Sequence, residues 1–429
     1  MTLRRAHPLL LLALVFAGGV ALFAAVNRAP VDIGSSTSSI VAHPRTTDQL
    51  IASLQAAARA NPRDADQYVL LADAYMQKVR ETGDAGYYLR ADGVLKIAQR
   101  IDARDPALYT GLGTLALARH DFRAALGFGM RAHALAPDVV RPLGVIVDAQ
   151  VELGRYGAAG RTLQRMIDAK PNLASYARVS YFRELHGDLA GAESAMRLAV
   201  DAGGAAPENV AYVQTLLGQL ELNRGHVGAA GAAYRLALYR FPGYPPAMAG
   251  LARVDIARGR LVPGIRRLRD VVSRLPLPEY VIALGDAELA AGLTRRGRAD
   301  LALVRAEQRL LAANGVNTDT EIALFEADHG SPARALRLAR RSWANAPSVR
   351  SADALGWALT SAARPQAGLA WARRALRLGS RDPLFLYHAG MAARAAGRPG
   401  EARALLQRAL SLNPRFSPLY APRAERALR

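Results

Sequence analysis

A period close to 34 residues runs through this chain and limits its possible folds more than any other feature. Small residues recur at Ala125, Ala159, Ala192, Ala230, Gly264, Gly297, Ala335, Gly368 and Ala402, with spacings of 34, 33, 38, 34, 33, 38, 33 and 34. Most follow a turn signal such as Leu153-Gly154-Arg155, Arg224-Gly225-His226 or Ala396-Gly397-Arg398. Twelve residues later a proline often closes the unit, at Pro137, Pro171, Pro242, Pro276, Pro347 and Pro414. Two antiparallel helices approach closely only where a side chain is a methyl or absent. Proline starts a helix readily but breaks the interior of one, so it punctuates units. A single helical hairpin cannot bury its apolar face alone, and repetition at this period therefore predicts stacked hairpins.

Units starting at Pro106, Val140, Leu173, Ala211, Pro245, Pro278, Val316, Val349 and Pro383 place Ala or Gly at position 20 in every case. Position 8 adds Gly113, Gly218, Ala252, Gly285, Ala323, Gly356 and Gly390, and six of the nine units carry proline at position 32. In this pattern the chain resembles the tetratricopeptide repeat family, whose motif has small residues at positions 8 and 20 and proline at 32. The family's Trp at position 4 is replaced by Tyr109, Leu143, Tyr176 and Met248 among others. A stretched earlier unit starts near Ala65 with Tyr68, Leu71, Ala72 and Tyr75 in phase. The resemblance covers about residues 46–429. It implies an all-α, right-handed superhelical solenoid of about ten hairpins. The two 38-residue steps, around Ala202 to Asn209 and Ala312 to Asn317, are read as longer second helices or loosened turns.

Ahead of the repeats, Leu9 to Val26 runs 18 residues without a charge, at the threshold for spanning a bilayer. Gly19-Val20-Ala21 offers a cleavage site, yet the apolar run continues past it, which favours an uncleaved signal anchor over a signal peptide. Arg4 and Arg5 precede the run, so the bulk of the chain is expected outside the cytoplasm. The organisation expected is then residues 1–29 as anchor or signal, 30–45 as a flexible tether, 46–105 as a leading helix and divergent first repeat, 106–414 as nine repeats, and 415–429 as a C-terminal capping helix.

No constellation for chemistry emerges. The chain has no Cys, which excludes a disulfide framework and thiolate chemistry. Its eight histidines are scattered, and no phosphate-binding loop or nucleophile elbow is present. No catalytic residue, cofactor or metal site is expected, and the chain reads as a non-enzyme that binds protein partners.

In the family, positions 2, 5, 9 and 12 of the first helix line the concave face. Here these are Asp73, Thr110, Asp148, Tyr181, Gln219, Asp286, Asp353, Trp357 and Tyr387, a groove suited to a basic or extended partner segment. No repeat has the Lys and Asn at positions 5 and 9 with which one subgroup grips chaperone carboxylates. The formal charge is +20. From Gly330 to Arg429, 18 Arg face only Asp353, Asp382, Glu401 and Glu425. Arg340, Arg341, Arg373, Arg374 and Arg408 form a convex basic patch, read either as a solvated face or as a site for anionic envelope polymer or lipid. Nucleic acid is disfavoured, since no aromatics interleave with the basic residues. The expectation is an extracytoplasmic interaction scaffold that assists assembly of an envelope complex. The alternative is a structural protein binding anionic polymer through the Arg-rich repeats.

Overall fold

The computed structural model describes residues 46–204 and 207–429, and among them every regular element is an α-helix. The apolar run at 9–26 and the tether at 30–45 lie outside the described residues. Among those described, no helix is long and apolar enough to cross a membrane.

A leading helix, α1 (Thr47–Ala60), packs on the first of ten antiparallel pairs. The pairs are α2 (Ala65–Thr82) with α3 (Gly86–Ile101), α4 (Pro106–Ala118) with α5 (Phe122–Leu135), and α6 (Arg141–Glu152) with α7 (Tyr156–Ala169). Next come α8 (Leu173–Leu185) with α9 (Leu189–Asp201), α10 (Pro207–Asn223) with α11 (Val227–Arg240), and α12 (Pro245–Ala257) with α13 (Leu261–Arg274). The last four are α14 (Pro278–Ala290) with α15 (Thr294–Ala313), α16 (Asp319–His329) with α17 (Pro332–Asn345), α18 (Val349–Ser361) with α19 (Pro365–Ala375), and α20 (Pro383–Ala395) with α21 (Pro399–Leu412). A short helix, α22 (Tyr420–Leu428), covers the end through Tyr420 and Ala424, which join Tyr387 and Leu406 in one apolar cluster.

The helices begin where the sequence supplies a stop and a start together. Asp105, Asp382 and Ser348 accept hydrogen bonds from the first free N–H groups of α4, α20 and α18, and proline occupies the first turn of α4 and α20. The small residues sit at the crossings. A Cβ on Gly356 would lie 3.0 Å from the Gly368 carbonyl oxygen, and one on Gly285 would lie 3.2 Å from that of Gly297. These are positions 8 and 20 of their repeats, so any larger side chain there would force the paired helices apart. The two 38-residue steps are built differently. In the second, α15 extends to 20 residues; in the first, the following helix α10 begins early, at Pro207.

One feature goes beyond a simple stack. The loops between the late hairpins lie against the turns within the early ones. Asn317 N–H donates to the Arg119 carbonyl (3.0 Å), and the His120 imidazole meets the Asn317 carbonyl (2.6 Å). Val349 N–H donates to the Tyr156 hydroxyl (2.8 Å). Asn413 Nδ2 donates to the Leu222 carbonyl (2.7 Å), and Arg415 to that of Ala257 (3.0 Å). Gly154 and Gly187 abut the carbonyls of Pro347 and Gly379. Each rung advances by one repeat on both sides. The superhelix has therefore come full circle, and its later repeats are seamed onto its earlier ones.

Candidate functional site

Closing the turn converts the concave face into an interior. The first helices of the hairpins from α8 to α20 surround two adjoining cavities of about 290 Å³ and 330 Å³, which share Gln219, Arg253, Glu279, Thr320, Arg350 and Asp382. Volumes of this order hold a small ligand or a side chain of a partner.

Four of the expected concave residues, Tyr181, Gln219, Asp286 and Asp353, line these cavities. Each is already engaged. Tyr181 hydrogen-bonds Arg350. Gln219 accepts from Arg253 (2.6 Å) and donates to Asn223 (2.7 Å). Asp286 pairs with His329 at 2.9 Å, and Asp353 with His388 at 2.9 Å. Asp148 is fully buried in a two-pronged pair with Arg178, at 2.8 and 2.7 Å. Trp357 stacks on His388, with ring centroids 4.5 Å apart, and its indole N–H donates to Asp328. Tyr387 stacks on Tyr420 at 5.2 Å within the same C-terminal aromatic cluster. Asp73 and Thr110 stand apart from the cavities. Asp73 pairs with Arg141 (2.9 Å), and Thr110 donates to the Pro106 carbonyl within its own helix.

Four cavity residues not singled out from the sequence occupy the same repeat positions: Glu184 at position 12, Arg253 at 9, and Glu279 and Arg350 at 2. The register alone marks all four. Asp382 lies outside that register, since it is the cap of α20 and precedes its repeat.

Burial dominates the electrostatics. It pushes the carboxyls of Asp148, Glu152 and Glu184 up to about 7, with Arg178 opposing at Asp148 and Arg350 opposing at the other two. Burial pulls the His388 imidazole down, but the Asp353 carboxylate overcomes it and holds the ring above its ordinary value. His329 is raised in the same manner by Asp286. All five groups hold protons in the folded chain at pH values where the unfolded chain has released them. Stability therefore falls as pH rises from about 4 through 7 and above. His120, lowered by burial, acts in the opposite sense around 6.5. The urea midpoint is expected to be lower at pH 8 than at pH 5, and a midpoint that rises across this interval contradicts the assignment.

The basic patch disperses on the surface. Arg341 pairs with Asp319, and Arg373 with Glu401 at 2.9 and 2.6 Å. Arg374 lies over Trp343 and Trp371, 4.8 and 5.5 Å from their centroids. Arg340 and Arg408 are exposed.

Residues 383–416, comprising α20, α21 and the turn between them, match the family model described as Tetratricopeptide repeat. The hairpin at 349–375 repeats the same small-residue crossing, as does that at 278–313. The hairpin at 383–416 is a tetratricopeptide repeat. A search of curated proteins finds no match to the chain. Solved structures similar to this repeat protein include "Human IFIT1 dimer with PPP-AAAA", at 15% identity over 85% of this chain and 86% of that one, TM-score 0.48. Another is "Crystal structure of APC/C hetero-tetramer Cut9-Hcn1", at 13% identity over 89% and 93%, TM-score 0.33. A third is "Structure of Naa15/Naa10 bound to HypK-THB", at 16% identity over 86% of this chain, TM-score 0.28. The repeat protein spans 61% of the length of that last chain. The likeness to the repeat family rests on the matched hairpin and on the crossings that the other hairpins share with it, independently of these structures.

Proposed function

We propose that this protein is a non-catalytic interaction scaffold, held on the extracytoplasmic side of the membrane by its N-terminal apolar run and assisting assembly of an envelope complex. The observation that carries the scaffold reading is the unbroken hairpin array, which accounts for the described residues from Ala65 to Leu412. Stacked hairpins present an extended surface of helix faces, and recognition of a partner segment is what such a surface supports. The apolar run with Arg4 and Arg5 before it supports the placement. In-cell crosslinking of the full chain is expected to recover one defined protein together with protease sensitivity from the outer face. Recovery of no specific partner rejects the scaffold, and protection of the repeats from external protease rejects the placement.

A second reading, binding of anionic envelope polymer, is favoured by the exposed Arg340 and Arg408 within a segment of 18 Arg and four acids. It predicts salt-sensitive pelleting of the protein with isolated cell wall. Reversing Arg340, Arg341, Arg373 and Arg374 to Glu should abolish that pelleting, and unchanged pelleting rules it out.

A further inference from the structure

The interior differs in charge from the molecule around it. The chain carries +20, yet acidic side chains outnumber arginines on the lining of the two cavities by seven to four. The arginines are occupied. Arg178 grips Asp148 with two hydrogen bonds, Arg253 donates to Gln219, Arg350 bonds Tyr181, and Arg415 donates to the Ala257 carbonyl. Three acids are less well served, and Glu321 in the second cavity has no hydrogen-bond partner on either oxygen among the described residues. Glu184 receives only a long bond from Asn223, at 3.4 Å. Asp382 spends Oδ1 on the Leu384 and Phe385 N–H groups, and Oδ2 has no hydrogen-bond partner among the described residues.

A second observation is independent of charge. A second pair of residues, Tyr234 and Tyr280, also lines the first cavity; they are 1% and 5% exposed, and neither buried hydroxyl has a hydrogen-bond partner among the described residues. Leaving two buried hydroxyls unpaired is unfavourable, and an occupant towards which either ring can shift its hydroxyl removes that cost. Leu216, Leu384 and Phe385 supply apolar wall between the polar groups. An excess of acids over arginines, unpaired hydroxyls and apolar wall together describe a receptor for a positive head on a short aliphatic stem.

We propose that the first cavity is a binding site for a cationic ligand bearing an ammonium or guanidinium group, seated between Glu184 and Asp382 with Tyr234 and Tyr280 alongside. The ligand is either a free amine or a basic side chain of a partner segment. The site stands independently of the scaffold role, since a free amine fills it without any partner. Burial and the neighbouring Asp382 hold the Glu184 carboxyl up to about 7, with Asn223 and Arg350 the opposing groups on the elements packed around it. Burial likewise raises Asp382, with its two cap N–H donors and His388 opposing and Asp353 reinforcing. A cation favours the ionised acids, so binding releases protons and tightens as pH rises from 5.5 to 8.

The test is calorimetric titration of the full chain with agmatine in one arm and an acetylated, amidated pentapeptide containing one Arg in the other. One saturable equivalent is expected in at least one arm, tightening about fivefold or more from pH 5.5 to 8. Glu184→Gln and Asp382→Asn should each weaken it about tenfold or more, whereas Asp92→Asn, outside the cavity, should leave it unchanged. Saturation by agmatine alone identifies a free amine, and saturation by the peptide alone identifies a partner side chain. Should either carboxyl variant lose its helical signal, Tyr280→Phe keeps the ring in place and should still weaken binding. Absence of saturable binding in both arms means that water alone fills the cavity and overturns the proposal. Equal binding of neutral n-butylurea, or affinity indifferent to pH and to every variant, overturns it as well.

Discussion

Alanine at Gly154 and Gly187 together opens the superhelical turn while leaving the hairpins folded. Both glycines have left-handed backbones, with φ of +68° and +77°, and a Cβ on either would overlap the carbonyl oxygen of a residue in a late repeat, Pro347 or Gly379. The left-handed conformation costs an L-residue roughly 1–2 kcal/mol, and the overlap adds an overpacking cost of about 1–3 kcal/mol at each site. The first cost falls on the local turn, whereas the second is relieved if the two layers separate. Gly397→Ala separates the two effects, because its φ is +72° and nothing lies within 4 Å of its added Cβ. Small-angle scattering should show a larger radius of gyration for the double variant, and hydrogen exchange should accelerate at 345–349 and 378–382, with far-ultraviolet helicity kept. A double variant as compact and as protected as Gly397→Ala removes the seam from the solution structure.

Arg178→Met is the second large effect. The Arg178 guanidinium lies against Gly144, whose added Cβ would sit 3.1 Å from its Cζ, and both members of its pair with Asp148 are at most 2% exposed. Removing one partner strands the other, at a cost of about 3–5 kcal/mol. The stranded Asp148 carboxyl already sits at about 7 with Arg178 present, so without it the group is driven further towards the neutral form. The deficit should therefore be larger at pH 8.5 than at pH 5.5. Arg178→Met combined with Asp148→Leu should recover most of the loss, because no buried charge remains. Denaturant melts of the three variants at the two pH values decide the matter. A single variant as stable as the parent, or a double variant no better than the single, contradicts the assignment.

The period near 34 residues made the hairpins legible, because each crossing needs a small residue at fixed offsets; Gly285 with Gly297 and Gly356 with Gly368 meet as their positions require. Prolines at 106, 245, 278 and 383 begin helices at the residues that the register marked. The inner site was legible only in part. Asp353 carried a position in the motif but no hint that His388 would claim it. Arg350, Glu279 and Glu184 share that register, which does not by itself tell a cavity residue from an ordinary helix-surface one. The closure was not legible at all. It depends on a small rotation added at every hairpin, and no residue encodes that sum. Asn317 and Asn413 read as ordinary loop residues until the late repeats come round to meet Arg119 and Leu222.

A repeat array whose units touch only their neighbours frays from its ends and folds from any point outward. In this chain the rungs join residues 197, 193 and 191 positions apart. Their formation depends on segments far apart in the order of synthesis, so the early hairpins leave the ribosome before the strip that seals them exists. Until α16 to α22 emerge, Arg119, Tyr156 and Leu222 hold their seam-side groups open to whatever is nearby. Afterwards, loss of one late hairpin unseats an early one, and the array melts as a unit.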